Sequence, residues 1–366
     1  MQIAVFSAKP HDRCFLDAAN ARAGHALHYL ESRLDRHTAA LAAGREAVSL
    51  FVNDRADAAA LAALADGGVR LVTLRSAGYN HVDLEAARAL GLTVTHVPDY
   101  SPHAVAEHTL ALLLSLVRRI PHAYSRVREG NFAIDGLLGF DLHGKTAALV
   151  GTGKIGLIVA RILRGFGLRV LAYDPRPSPE AEAAGVIFGP LEEVLGEADI
   201  VSLHCPLLPN TRHLINRATL AWMKRGAVLI NTSRGGLIDT RAVTEALETG
   251  RLAALGLDVY EDEAPLIYDD HSGQGLRDEL LSRLIALPNV IVTGHQGFFT
   301  REALTAIAAG TMAVLDAFAN GRPCPHTLTA PGASSGRNPP PAPHGSAAAF
   351  PLERKVRGEA VVAAAG

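Results

Sequence analysis

At 366 residues, 48% of them hydrophobic and 20% charged, the chain is long enough for two globular units and apolar enough to bury a core, which excludes general disorder. A formal net charge of −2 leaves no basic field for phosphate backbones or anionic lipid, so neither nucleic acid nor a membrane is an expected partner. Three cysteines, Cys14, Cys205 and Cys324, are an odd count without metal-type spacing, which argues against a disulfide framework or a metal site and suits a reducing compartment.

The amino terminus, MQIAVFSAKP, lacks a basic segment leading into a long apolar core and reads as a strand rather than a signal peptide, so a cytoplasmic protein is expected. Short β-rich runs then alternate with amphipathic helical segments, at 3–6, 47–51, 71–74, 93–97, 146–150, 169–173, 200–203, 228–231, 255–259 and 290–293. This rhythm is α/β, and because the runs are apolar throughout rather than alternating, they predict parallel strands covered on both faces, in open doubly wound sheets. The longest apolar stretch, 104–117, is interrupted by Glu107 and His108 and is too short to cross a bilayer. It reads as a buried helix opening at Ser101-Pro102 and running to about 119, before Pro121, packed as a hinge between two sheets. From 331 the pattern gives way to PGASSGRNPPPAPHGSAAAF, and 331–366 is expected to be a disordered tail.

The run at 146–150 leads directly into GTGKIG, with Gly151, Gly153 and Gly156 at the turn and first helical residues. In that context the first glycine permits a tight turn, the second lets backbone approach a pyrophosphate, and the third allows helix to pack on strand. The next run ends at Asp174, which can accept from the ribose hydroxyls and repel an added phosphate, favouring NAD over NADP. Arg176, two residues on, weakens that preference.

Three segments carry the remaining signal: NTSRGGLID with Arg234, LDVYEDE with Asp258 and Glu263, and TGHQGFFT with His295. Each follows a predicted strand, and in an open α/β sheet the carboxyl ends of strands gather round one ligand. Moving a hydride between an alcohol and a nicotinamide needs a group that takes the hydroxyl proton and returns it, which His295 can do near neutral pH. Glu263 beside it would raise its pKa, and Arg234 could clamp a 2-hydroxyacid carboxylate with two parallel hydrogen bonds while polarising the neighbouring carbonyl. Taken singly, the three are equally compatible with a surface ion-pair former, a loop charge and a satisfied interior histidine.

Together with SLFVNDRAD, LRSAGYNHVDL, VPDYSPHAVAEH and SLHCPLLPNT, these motifs, in this order, resemble the D-2-hydroxyacid dehydrogenase family, most closely its bacterial fermentative D-lactate dehydrogenases, over about residues 1–329. The resemblance implies a small-molecule 2-oxoacid or 2-hydroxyacid substrate, NAD as cofactor and a homo-oligomer, dimer or tetramer. It implies Arg234, Glu263 and His295 as the catalytic set, with Asp258 supporting geometry and protonation. Ala77 and Gly78 would hold the substrate carboxylate with Arg234 and His295, while Tyr100 and Phe298 would border a small pocket that suits a methyl group. For NAD it adds Thr152, Lys154, Ile155, Cys205, Pro206, Thr211, Thr232, Ser233, Arg234, Asp258 and His295 to the glycines and Asp174. It also implies a Rossmann dinucleotide-binding domain, 101–296, inserted in a flavodoxin-like substrate domain, 1–100 and 297–330, which would close on it. Gly297 departs from the alanine common in that branch and is expected to loosen Phe298.

These residues leave other functions open. One is reduction of hydroxypyruvate, glyoxylate or phenylpyruvate. Another is a non-metabolic NAD(H)-sensing co-regulator, since corepressors of this family keep the same arginine, glutamate and histidine. Formate oxidation is disfavoured by Glu263, where the formate branch has glutamine, and phosphoglycerate oxidation by the lack of extra cations.

Overall fold

The computed structural model describes residues 1–329, so the tail expected at 331–366 lies outside the described residues. Among these, two parallel sheets form. The first holds β1 (Gln2–Val5), β2 (Ala26–Tyr29), β3 (Ala47–Leu50), β4 (Leu71–Leu74) and β5 (Thr93–His96) in the order β2-β1-β3-β4-β5. Helices α1 (Pro10–Asn20), α2 (Ala58–Asp66) and α3 (Leu84–Ala89) alternate with them. β3 and β4 are buried along their whole length, as interior parallel strands should be. β2 was not among the predicted strands. It is an edge strand, ALHY, only partly buried, and so carries no continuous apolar run.

From β5 the chain crosses to α4 (Pro102–Val117), where the Ser101 hydroxyl accepts from the Ala104 amide at 3.2 Å, satisfying one of the free amides of the first turn. Leu110, Leu113 and Leu116 of α4 share a buried cluster with Leu149, Val228 and Ile230, so its body is packed on the second sheet. Pro121 does not end the helical region. It lies in the first turn of α5 (Ile120–Arg128), where no amide hydrogen is needed, set off by Arg119 in the left-handed region at φ 54°.

The second sheet is built from β6 (Thr146–Val150), β7 (Arg169–Tyr173), β8 (Ile187–Phe188), β9 (Ile200–Leu203), β10 (Ala227–Asn231), β11 (Leu252–Leu257) and β12 (Val290–Val292). Between them run α6 (Lys154–Gly165), α7 (Pro179–Ala183), α8 (Leu191–Glu197), α9 (Arg217–Trp222), α10 (Thr240–Glu248) and α11 (Glu279–Ile285). The order β12-β11-β10-β9-β6-β7-β8 is the doubly wound dinucleotide-binding order with one strand added beyond its last. β8, two residues long at the edge, escaped the sequence reading because it is too short to show a pattern.

The chain then returns through α12 (Arg301–Ala319), whose Ala308, Met312, Val314 and Leu315 pack with Ile3, Val5 and Leu16 of the first sheet. α12, at 19 residues, and not the 104–117 segment, is the longest apolar helix described. By length and composition it could cross a bilayer, yet half of it is buried against the first sheet and α1. Beyond it Thr327 forms an antiparallel bridge to Thr95, and the Leu328 amide donates to Val94 O at 2.7 Å.

Candidate active site

β10, β11 and β12 are neighbours in the second sheet, so the residues that follow them emerge side by side. This adjacency brings Arg234, Glu263 and His295 together from segments 61 residues apart at the extremes (295 − 234). His295 Nδ1 lies 2.8 Å from Glu263 Oε1, and the other carboxylate oxygen accepts from the Tyr260 amide at 2.9 Å. A carboxylate held in place from behind fixes both the tautomer and the orientation of the imidazole. His295 itself takes a left-handed φ of 55°. Its amide donates to Asp258 O at 2.7 Å, and its carbonyl accepts from the Tyr268 hydroxyl at 3.0 Å.

Arg234 opens a single 3-10 turn, Gly235–Leu237. A side chain at Gly235 would start 2.0 Å from the Tyr260 carbonyl carbon, so only glycine lets the arginine loop and the Glu263 loop meet. Asn231 donates to Arg234 O at 2.8 Å and accepts from the Ser233 amide at 3.0 Å, and Arg234 Nη1 donates to Ser233 O at 2.7 Å. The other end of the guanidinium faces the loop after β4. A Cβ at Gly78 would fall 2.6 Å from Arg234 Nη2. Among the described residues no carbonyl accepts from the amides of Ala77 and Gly78, which leaves two donors beside the guanidinium. Tyr100 is close enough for Arg234 to oppose the upward shift that burial gives its hydroxyl. Next to the same cation burial pushes His81 down to about 4, with Arg234 acting in the same direction.

Asp258 is buried beside the site. Burial alone would raise its pKa, but hydrogen bonds from His108, Thr293 and the amides of Gln296 and Gly297 outweigh that and hold it below the ordinary carboxylate range. His108, from α4, reaches Asp258 Oδ1 at 3.2 Å and Thr293 Oγ1 at 3.0 Å. Gly297 does not loosen the segment as expected. Its amide donates to Asp258 Oδ2 at 2.7 Å, and a methyl group there would lie 2.9 Å from that oxygen and 3.3 Å from the His108 ring. Phe298 is buried, with its ring 6.2 Å from Tyr100.

Around the glycine turn, Gly151 has φ 98°, and a Cβ there would lie 2.7 Å from the His204 carbonyl; Gly156 is pressed against Gly151 O. At Gly153, the first residue before α6, a Cβ would point into open space. The turn is therefore closed on the protein side and open on the side where amides of a twelve-residue helix point outward, a fit for the phosphates of a dinucleotide. Asp174 Oδ2 accepts from the Thr152 amide and hydroxyl at 2.8 and 3.0 Å. Lys154 pairs with Asp99 on the crossover at 2.5 Å, and Ile155 packs into the second sheet's core.

Several residues expected to touch a nucleotide also tie loops together. The Thr211 hydroxyl donates to Pro206 O at 2.7 Å and accepts from the Leu208 amide, Ser233 Oγ donates to Cys205 O at 2.8 Å, and Thr232 meets Thr109 of α4 at 2.8 Å. Burial pushes the Cys205 thiol up to about 12, so it offers an apolar wall and no nucleophile. Sequence reasoning missed Asn231, His108, Thr293 and Tyr268. Asn231 in the arginine motif, His108 at the end of VPDYSPHAVAEH and Thr293 at the start of TGHQGFFT each stood in a motif that could have marked it, whereas Tyr268 stood in none.

Residues 110–297 match the sequence profile of the D-isomer specific 2-hydroxyacid dehydrogenase NAD binding domain. The chain is 50% identical over 341 residues to the D-lactate dehydrogenase kk1H of Curvularia clavata, covering 92% of this chain and 98% of that protein. Its structure is similar to the apo-structure of D-lactate dehydrogenase from Escherichia coli, at a TM-score of 0.83 and 45% identity, covering 90% of this chain and 100% of that one. It is also similar to the pyruvate reductase of Chlamydomonas reinhardtii, at 0.85 and 43%, covering 89% and 98%.

Proposed function

This chain belongs to the D-2-hydroxyacid dehydrogenase family and carries that family's NAD-binding domain, and from that premise we propose that it interconverts pyruvate and D-lactate with His295 as general acid and base. When bound at the glycine turn, NADH supplies the hydride. The Ala77 and Gly78 amides and the Arg234 guanidinium hold the substrate carboxylate, and the same cation polarises the ketone oxygen. His295 delivers its proton to that oxygen, and Glu263 fixes the imidazole through Nδ1 so that its other nitrogen faces the substrate. The relatives named for D-lactate and pyruvate support the substrate, and the observation that carries the mechanism is the 2.8 Å contact between His295 Nδ1 and Glu263 Oε1.

Residues 151–156 and Asp174 would hold the dinucleotide, with Asp174 discriminating against a ribose phosphate. The substrate domain would comprise 1–100 and 297–330 and close on 101–296, excluding water as substrate docks. We assign the exposed side chains Ile120, Tyr124, Phe132, Ile134 and Leu138 to contact with a second copy, since an apolar patch of that kind is seldom left in water. A reducing cytoplasm suits the three free cysteines.

Oxidation of NADH with pyruvate, hydroxypyruvate, phenylpyruvate and glyoxylate, followed by chiral analysis of the product, tests the reading. Turnover of pyruvate to the D-isomer is expected. Silence with all four would leave an NAD(H)-sensing role in its place.

A further inference from the structure

The turn 76–78, just past β4, carries the two amides assigned to the substrate carboxylate, and each of its three carbonyls is taken by the chain itself. Ser76 O accepts from the Val97 amide at 3.1 Å, Gly78 O from the Ser76 hydroxyl at 2.7 Å and Ala77 O from Nδ1 of His96 at 2.9 Å. In a planar trans peptide the carbonyl and the amide of the next residue point in opposite directions. The Val97 amide therefore aims the Ala77 amide, and the His96 ring aims the Gly78 amide. His96 ends β5 and Val97 follows it, so both carbonyls are drawn toward that strand and both amides face away from it. Successive donors turned one way suit an anion. An added Cβ at Gly78 would lie 2.6 Å from Arg234 Nη2, so the amide that His96 aims belongs to the residue lying against the guanidinium.

The imidazole is itself held for this task. A carbonyl only accepts, so Nδ1 carries the hydrogen. The ring stands edge-on to Tyr79 at 5.5 Å and to His326 at 6.3 Å between centroids, and the His96 amide donates to His326 O at 3.4 Å. Burial pushes the pKa of His96 below the ordinary histidine value. At neutral pH the ring is therefore uncharged and acts through the direction of one hydrogen bond, not as a cation.

We propose that His96 is a positioning residue for the 2-oxoacid carboxylate: by holding Ala77 O it turns the Gly78 N–H onto the carboxylate beside Arg234. This rests on the dehydrogenase reading above and adds a residue to the same site. The carboxylate is bound alike in substrate and transition state, so the contribution of His96 falls on affinity and leaves turnover alone.

The test is steady-state reduction of pyruvate in the unaltered enzyme, His96→Leu and His96→Asn, with oxamate, an unreactive analogue bearing the same carboxylate, as inhibitor. In His96→Leu the KM for pyruvate and the inhibition constant of oxamate should each rise about three- to tenfold, the usual worth of one hydrogen bond. The kcat and the KM for NADH should stay within about twofold. Asparagine carries its amide nitrogen on Cγ, as histidine carries Nδ1, and should bring both raised constants back toward those of the unaltered enzyme. A second readout needs no variant: nitrogen NMR of the His96 ring should place the hydrogen on Nδ1. A hydrogen on Nε2 alone would overturn the proposal even where His96→Leu fails to fold. Unchanged constants in His96→Leu, an equal rise in the KM for NADH, or no recovery with asparagine would overturn it as well. Any of these with pyruvate still reduced by the unaltered enzyme would sink this inference alone, whereas an unaltered enzyme inert toward pyruvate would remove the dehydrogenase reading beneath it.

Discussion

His295 is held at three points: by Glu263 at its ring, by Asp258 at its amide and by Tyr268 at its carbonyl. So thoroughly fixed a ring contributes through the proton it carries, and His295→Gln should slow pyruvate reduction by about a hundredfold to ten-thousandfold with the fold intact; near-normal turnover in a stopped assay would remove it as the acid. Two other histidines bear on stability. Burial pushes both His204 and His81 down to about 4. Between the ordinary histidine value near ~6.5 and that point the unfolded chain binds more protons than the folded one, so stability is full above ~6.5 and drains away as pH falls toward about 4. Urea midpoints measured from pH 7 to 4.5 should decline over that window, and the slope should flatten in His204→Gln; an identical slope would clear His204 of the effect. Arg234, Glu263, His295 and the glycines were legible in sequence because each lies in a short motif just past a strand. His108, although it closes the motif VPDYSPHAVAEH, and Tyr268 were not, because each acts on residues from a distant segment.

The loop from Glu263 to Asp269 shows how an element without periodicity can still be fixed. Arg33, just after β2, donates to Ala264 O at 3.0 Å, Ile267 O at 3.1 Å and Asp269 Oδ2 at 2.6 Å, and Lys9 joins at Asp269. Tyr268 within it adopts φ 66°, a conformation costing of order 1–3 kcal/mol in a residue with a side chain, held by its hydroxyl and by the Phe51 ring. The loop that carries Glu263 is therefore anchored on the first sheet. Arg33→Met should lower kcat/KM for pyruvate about three- to tenfold. Its effect on unfolding free energy should stay within about 1 kcal/mol, because the ion pair is partly exposed. Lysine should not restore activity, since a point charge cannot reach two carbonyls and a carboxylate at once. Unchanged kinetics in Arg33→Met would show that the loop is held without it. At this scale the interior strands were readable from their unbroken apolar runs. The edge strands β2 and β8 were not, being half-solvated or too short, whereas the end of α4 ahead of Pro121 was.

Taken whole, the α/β alternation made both sheets visible in sequence, but their strand orders come from which edges pair in space, and that has no local signature. The apolar side chains left on α5 and the segment after it, with Leu138 90% exposed, belong to the molecule rather than to either sheet. Leu138→Asp should shift the protein toward a monomer in sedimentation, and an unaltered sedimentation coefficient would move the contact elsewhere. A last property follows from the way α12 comes home to β1 after the entire second sheet has been made. On the ribosome, the larger lobe has all its strands once β12 has emerged, while the smaller one must wait, its apolar face over Ile3 and Val5 uncovered, until residues near 315 leave the exit tunnel. The first lobe translated is thus the last to be sealed, and nascent chains arrested shortly before α12 should pair a protease-resistant carboxyl-terminal half with a chaperone-seeking amino-terminal one.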